Sequence, residues 1–205
     1  MDKFRGLGIA MVTPFNIDGS IDYSGVEKLT NHLIDGGVDY LVVMGTTGEN
    51  PTIDTKEQQD ILQKIKEVNA GRLPIVFGIG GNSTKVVVDR LKSEDLAGVD
   101  GILSVSPYYN KPSQEGIYQH FKAVSDATPL PVIMYNVPGR TGSTVSVETT
   151  LRIAALPNVV ATKEASGSLD ICMDLVMGKP EEFGIISGED SYTMPFIAVG
   201  MQGVI

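Results

Sequence analysis

The stretch "YLVVMGTTGENPTIDTKEQQDILQKIKEVNAGRLPIVFGIG", residues 40–80, contains the unit from which the whole chain is built. It begins and ends with short apolar runs rich in β-branched residues, which are typical of strands covered on both faces of a parallel sheet. Between these runs, Asp54 and Glu57 stand at capping-box spacing ahead of a helical apolar stripe, and Gly71 follows as a stop signal. The stretch therefore predicts one strand–helix–strand unit.

Similar apolar runs recur along the chain, and amphipathic stretches separate them. The runs occupy residues 6–15, 40–45, 74–80, 101–106, 132–138, 159–163, 183–188 and 203–205. Strand and helix alternating at about 30 residues is the spacing of βα units, and eight such units predict a (β/α)8 TIM barrel. An open doubly wound sheet is the alternative, although no Gly-x-Gly-x-x-Gly follows the first run, which weakens a dinucleotide-binding version.

The pattern predicts a single barrel domain over residues 1–205, without an internal linker. The last apolar run lies at the C-terminal end, so the sequence stops inside strand eight. A closed barrel needs this strand completed and usually has a helix after it. We therefore expect the sequence to be part of a longer protein, without the C-terminal end of the barrel and the helical region that follows.

The composition excludes several classes of partner. The 205 residues carry a formal net charge of -9, and 42% of them are apolar, which suffices for a sizeable core. The acidic balance argues against nucleic acid or an anionic membrane as a partner, because both attract basic surfaces. The single cysteine, Cys172, excludes an internal disulfide and fits a reducing compartment. Because the sequence shows neither a secretory leader nor a transmembrane run, we expect a cytoplasmic protein.

Chemically active side chains follow several predicted strands, at the end of the barrel where this fold carries its chemistry. They are Thr46 and Thr47 in "GTTGEN", Tyr108 and Tyr109 in "SPYYNKPSQEG", Tyr135 and Arg140 in "YNVPGRTG", and Lys163 in "VVATKEAS". Each alone has a simpler structural interpretation: a glycine-bracketed turn, packing aromatics, a solvated arginine, or a lysine that extends to water. Their common position at strand ends favours one shared site.

Lys163 has the most specific chemistry of this set. An amine attacks a carbonyl only when it is neutral, and burial or a nearby positive charge lowers the pKa of a lysine. The resulting Schiff base is an electron sink that lets the adjacent carbon lose a proton. Tyr135 is suited to moving that proton, with Thr46 linking it to solvent. The planar fork of Arg140 suits a carboxylate.

Other catalytic arrangements are not supported by the sequence. His32 and His120 both lie on predicted helices rather than at strand ends, so neither a metal site nor a Ser-His-Asp triad is expected. The segment "GIGGNST" after the third run lacks the lysine and the spacing of a P-loop, and we interpret it as a turn.

The motifs "GTTGEN", "SPYYNKPSQEG", "YNVPGRTG", "ATKEASG" and "SGED", in this order, resemble those of the dihydrodipicolinate synthase family over essentially the whole chain. The resemblance implies a (β/α)8 barrel and a pyruvate Schiff base on Lys163, without any other cofactor. The enamine would condense with L-aspartate semialdehyde to give 4-hydroxy-tetrahydrodipicolinate, the first committed step towards diaminopimelate and lysine. The family also continues into a C-terminal helical region that supports its tetramer.

Matched motif positions also imply roles for individual residues. The implied assignments are Tyr135 as proton donor and acceptor, Thr46 and Tyr109 as the rest of a hydroxyl relay, Thr47 as ligand of the pyruvate carboxylate, Arg140 as ligand of the semialdehyde carboxylate, and Gly188 and Ile205 as lining of the pyruvate pocket. In the family, the second tyrosine comes from a neighbouring subunit. The resemblance therefore implies a shared site in a homotetramer built as a dimer of dimers.

Two other functions stay open at this point. One is a related pyruvate-dependent aldolase, such as a lyase for sialic acid or 2-keto-3-deoxy sugar acids, and the other is a non-catalytic barrel. Arg140 and the Tyr-Tyr pair favour the synthase over the lyases. The combination of Lys163, Tyr135 and Thr46 argues against a non-catalytic barrel.

Many family members are inhibited by lysine bound at the dimer interface. Asn82 and Tyr108 match residues of that site, but Thr55 stands where lysine-sensitive members often carry histidine, and Val86 where they carry glutamate. Because the missing carboxylate would otherwise bind the ammonium group of lysine, we expect weak or absent feedback.

Overall fold

The computed structural model describes residues 1–205, whose eight parallel strands close into one barrel in chain order. The strands are β1 (Gly6–Ala10), β2 (Tyr40–Val43), β3 (Ile75–Gly78), β4 (Gly101–Val105), β5 (Val132–Asn136), β6 (Val159–Glu164), β7 (Gly184–Ser187) and β8 (Gly203–Val204). The predicted (β/α)8 barrel is confirmed. The parallel pairing of β1 with β8 excludes an open doubly wound sheet.

Helices connect the strands and cover the outside of the barrel. They are α1 (Tyr23–Asp35), α2 (Thr55–Asn69), α3 (Thr84–Ser93), α4 (Gln114–Ala127), α5 (Pro138–Thr141), α6 (Val147–Ala154), α7 (Leu169–Gly178) and α8 (Thr193–Ala198). Asp54 and Glu57 form the predicted capping box of α2, with both reciprocal hydrogen bonds present. None of the helices is both long and apolar enough to cross a membrane.

Each strand divides its side chains between the barrel interior and the helical layer, because successive side chains point to opposite faces. On β5, Ile133 and Tyr135 belong to the apolar cluster inside the barrel, whereas Met134 belongs to the cluster between the strands and the helices. On β6, Ala161 belongs to the interior cluster. Lys163, two residues later, shares its face. This alternation brings Tyr135 and Lys163 to the same interior surface.

Strand β8 closes the barrel with only two residues. Gly203 pairs with Gly6 of β1 and with Ile186 of β7, and Val204 continues both ladders. Even this short strand therefore completes the hydrogen-bonded wall.

The first apolar run forms a shorter strand than its length predicts. The run covers residues 6–15, but β1 ends at Ala10. Beyond it the chain bends towards the loop after β2, where the Thr13 hydroxyl donates to the Gly48 carbonyl over 2.6 Å. Pro14, which has no backbone N–H to donate to a ladder, follows. This bend holds the loop after β2 close to the mouth of the barrel.

Candidate active site

A cavity of about 220 Å³ opens among the loops at the C-terminal ends of the strands. Thr46, Tyr108, Tyr135 and Arg140 line it, together with apolar residues such as Leu103. These four polar side chains come from the loops or strand ends after β2, β4 and β5, as the sequence predicts. The cavity can hold small molecules that carry carboxylate and carbonyl groups.

Lys163 lies beside this cavity, in contact with Tyr135, and is not one of its lining residues. Its side chain is directed into the barrel and the residue is only 6% exposed, so it does not extend to water. Tyr135 and Lys163 are register partners of β5 and β6. The Lys163 Nζ lies 4.5 Å from the centroid of the Tyr135 ring. An amine and a phenol are thus held together by two adjacent strands.

Burial changes the proton affinity of the Lys163 amine. It lowers the pKa of Lys163 to about 8, an effect that the Asp190 carboxylate opposes and the Arg140 guanidinium reinforces. With this pKa, about one tenth of the amine is neutral at pH 7, roughly 300 times the fraction of an ordinary lysine. The barrel therefore supplies an amine that is able to attack a carbonyl near neutral pH.

The Tyr135 hydroxyl remains protonated in this setting. Burial raises the pKa of Tyr135, the Arg140 guanidinium opposes the rise, and the carboxylates of Glu189 and Glu164 add to it. A neutral phenol beside an amine can donate a proton to a developing alkoxide and take it back.

Gly188 and Ile205 lie close to this pair in different ways. A Cβ atom at Gly188 would stand 2.8 Å from Lys163 Cε and 2.9 Å from Lys163 Cγ, so only glycine leaves room for the lysine side chain as placed. Ile205 is 8% exposed and belongs to the interior cluster that includes Tyr135. Neither lines the cavity described above.

The loop after β2 separates the two threonines. Thr46 and Thr47 occupy a 3₁₀ turn, Thr46–Gly48, and both are exposed. Thr46 lines the cavity and Thr47 does not. The turn is flanked by Met44 and Glu49, each with a φ of 57°, a left-handed conformation that is unusual without glycine.

The two adjacent tyrosines also separate. Tyr108 lines the cavity, whereas Tyr109 has a φ of 69° and is 86% exposed, with its side chain outside the cavity. No hydrogen bond joins Tyr135, Thr46 and Tyr109 to one another. Within one chain the structure therefore brings Tyr135, Thr46 and Arg140 to the cavity and leaves Tyr109 facing outward.

Three polar residues near the site were missed by the sequence analysis. Asn136 and Glu164 follow Tyr135 and Lys163 directly and are hydrogen-bonded to each other in the helical layer. Strand alternation was the available signal, because it buries a charged residue that follows an inward lysine. Asn50 donates to the carbonyls of Met44 and Gly78 across the barrel mouth. No local sequence pattern predicts such a contact.

Comparisons with known proteins agree with the fold and show the family. The model of the Dihydrodipicolinate synthetase family matches residues 3–205. A 4-hydroxy-tetrahydrodipicolinate synthase of Parabacteroides distasonis is 51% identical over 204 residues, which cover 99% of this chain and 69% of that protein. A dihydrodipicolinate synthase structure from Bacillus anthracis superposes with a TM-score of 0.95 at 44% identity, covering 98% of this chain and 69% of that one. The chloride-inhibited dihydrodipicolinate synthase of Acinetobacter baumannii, solved with pyruvate, gives a TM-score of 0.95 at 39% identity and the same coverage, 98% and 69%.

Proposed function

The chain belongs to the dihydrodipicolinate synthetase family, and we propose that it condenses pyruvate with L-aspartate semialdehyde through a Schiff base on Lys163. The enzyme class follows from the family: a carbon–carbon lyase acting as a synthase, which makes 4-hydroxy-tetrahydrodipicolinate in lysine biosynthesis. One observation carries the residue assignment, namely the buried amine of Lys163 held 4.5 Å from the Tyr135 ring.

The proposed reaction begins when the neutral Lys163 amine attacks the ketone carbon of pyruvate. Tyr135 protonates the departing hydroxyl, water leaves, and a C=N bond to the lysine remains. The pyruvate methyl group then loses a proton to Tyr135. The enamine attacks the aldehyde carbon of the second substrate, and Tyr135 gives the proton to the alkoxide that forms. The amino group of that substrate finally displaces Lys163 from the C=N carbon, so the ring closes with net release of one water.

The remaining assignments concern the two substrate carboxylates, proton transfer and the pyruvate pocket. We assign the semialdehyde carboxylate to Arg140, whose guanidinium lines the cavity. The pyruvate carboxylate is assigned to Thr47 and the turn that carries it, and Thr46 is assigned to proton transfer. Gly188 and Ile205 are assigned to the pyruvate pocket, an assignment supported by the room that the missing Cβ of Gly188 leaves for the Lys163 side chain.

We also propose that the enzyme is a cytoplasmic homotetramer, a dimer of dimers. Tyr109 supports this assembly, because its left-handed backbone conformation turns an exposed side chain outward, where it can reach the site of a neighbouring subunit. The buried, unpaired Cys172 fits a reducing compartment. The proposed chemistry requires no cofactor besides the covalent link to Lys163.

Borohydride trapping tests the proposed function. The protein is incubated with pyruvate and reduced, and the added mass is mapped by peptide mass spectrometry. An adduct on Lys163 would establish the Schiff-base class, whereas its absence from folded, oligomeric protein would reject the mechanism. Offering aspartate semialdehyde, N-acetylmannosamine and sugar-acid aldehydes beside pyruvate then separates the synthase from the related lyases.

The pKa of Lys163 predicts the pH dependence of the first step. Because burial lowers this pKa to about 8, the rate of adduct formation should rise about tenfold per pH unit below pH 7 and level off above about pH 8. The measurement is the initial rate at subsaturating pyruvate between pH 6 and pH 10, with adduct quantified after reduction. A rate that still rises tenfold per unit above pH 9 would contradict a depressed pKa.

Lysine is expected to leave the activity almost unchanged. Val86 is 55% exposed and offers no carboxylate to the ammonium group of lysine. Millimolar lysine should reduce the rate less than about twofold, while the Val86→Glu variant should become more sensitive. Strong inhibition of the unmodified protein in the same steady-state assay would show that the missing glutamate is not needed for feedback.

A further inference from the structure

The residues that follow Tyr135 and Lys163 form a second pair on the opposite face of the barrel wall. Asn136 and Glu164 are the next register partners of β5 and β6. Because side chains alternate along a strand, this pair faces the helical layer while Tyr135 and Lys163 face the interior. Both Asn136 and Glu164 are 0% exposed.

A closed set of hydrogen bonds holds the Asn136–Glu164 pair. The Asn136 Nδ2 donates to both carboxylate oxygens of Glu164, at 3.1 and 2.9 Å, and the Ser166 N–H donates to Oε1 at 2.8 Å. The Asn136 Oδ1 accepts from the Val145 N–H at 3.1 Å. These contacts join β5, β6, the loop after β6 and the segment before α6.

Hydrogen bonds to the backbone carbonyls of Asn136 and Glu164 extend this network towards Lys163. The Ala165 N–H donates to the Asn136 carbonyl, and the Gly188 N–H donates to the Glu164 carbonyl, both over 2.9 Å. Gly188 is the residue whose missing Cβ leaves room for Lys163. The position of Glu164 thus sets the spacing of three strand ends around the amine.

Burying Glu164 is energetically unfavourable if its side chain only fills space. None of the ion pairs in the structure includes its carboxylate. Burial raises the pKa of Glu164, and the hydrogen bonds from Asn136 and Ser166 oppose that rise. A buried carboxyl group without a cation costs more than an amide or an apolar side chain of similar size. The charge of Glu164 also contributes to the raised pKa of Tyr135. This effect on the site tyrosine suggests that the carboxylate has a role beyond packing.

We propose that Glu164, held by Asn136, is a positioning residue that fixes the alignment of β5 and β6 and so sets Tyr135 against Lys163. The inference rests on the proposed function, since it takes Lys163 and Tyr135 as the reacting pair. Glu164 faces away from the interior and acts through the two strands rather than on the substrate.

Exchanging the two polar groups tests this inference. In Glu164→Gln an amide hydrogen would lack an acceptor, and in Asn136→Asp two carboxylates would face each other. Each single variant should lower kcat and the rate of pyruvate adduct formation about 10- to 100-fold, with KM for pyruvate changed less than about threefold. In the double variant the new amide can donate to the new carboxylate, so both rates should return to within about threefold of the wild type.

The control is Asp100→Asn, which makes the same carboxylate-to-amide change at the opposite, N-terminal end of the strands, where half-buried Asp100 accepts from the Ile75 N–H and pairs with Lys3. It should lower stability without changing kcat well below the unfolding temperature. Single variants that keep wild-type rates, or a double variant that restores nothing although folded, would overturn the positioning role alone. Absence of any adduct on the wild-type protein would instead reject the proposed function, and the inference with it.

Discussion

Replacing Lys163 with methionine is expected to abolish the pyruvate adduct and at the same time to stabilise the protein. The adduct disappears because no other amine lies against Tyr135. The stability gain follows from burial, which lowers the pKa of Lys163 from 10.5 to about 8. Each pKa unit corresponds to about 1.4 kcal/mol, so the charged amine costs up to about 3 kcal/mol at neutral pH. Methionine has a similar length and carries no charge.

The destabilisation by the charged amine depends on pH, and Lys163→Arg serves as the control. Below about pH 8 the amine is charged in both folded and unfolded states, and the folded protein bears the full cost. Between about pH 8 and 10.5 the folded protein releases the proton first, so wild-type stability rises and the advantage of Lys163→Met shrinks. Lys163→Arg keeps the charge and also loses the nucleophile, so it should give no adduct and no stabilisation.

Denaturant unfolding at pH 7 and pH 10, without pyruvate, measures the difference. We expect Lys163→Met to be about 1 to 3 kcal/mol more stable than the wild type at pH 7. A destabilised methionine variant would mean that the charged amine is well accommodated by its surroundings, including the Tyr135 ring. The assignment of Lys163 as a neutral nucleophile would then lose its electrostatic basis.

The parts of the fold that could be predicted are those that local chemistry determines. The capping box of α2 and the β-branched strand runs express preferences of neighbouring residues. Lys163 was recognisable because a charge at the end of a buried strand needs a reason. Its burial inside the barrel follows from alternation along β6 once the barrel is assumed.

Adjacent residues of the same type could not be told apart in this way. Thr46 lines the cavity and Thr47 does not, and Tyr108 lines it while Tyr109 faces outward. The difference depends on left-handed residues such as Met44 and on Tyr109 itself, which are not glycine and so carry no signal in the sequence. Contacts between distant segments hold these conformations, and a single sequence does not display them.

Gly78→Ala is expected to have the second large effect, through one of those distant contacts. Gly78 ends β3 with an ordinary backbone conformation, so alanine is acceptable locally. However, its Cβ would stand 1.9 Å from the Met44 carbonyl oxygen and 2.6 Å from the Met44 carbonyl carbon. Both are backbone atoms of a residue that is 3% exposed, and Asn50 binds the same carbonyl over 2.9 Å. The end of β2 must therefore move.

We expect Gly78→Ala to lower the free energy of unfolding by about 3 kcal/mol or more, which is typical of overpacking that displaces backbone. Because the displaced segment carries Thr46, adduct formation on Lys163 should also slow by at least about tenfold.

Gly139→Ala is the matched control: its Cβ would meet no atom within 4 Å, and it lies in helix α5. It should be neutral or stabilising by up to about 1 kcal/mol. Equal stability of the two variants in urea would show that Met44 can leave its left-handed conformation at little cost. The position of Thr46 at the cavity would then not depend on the close approach of β2 and β3.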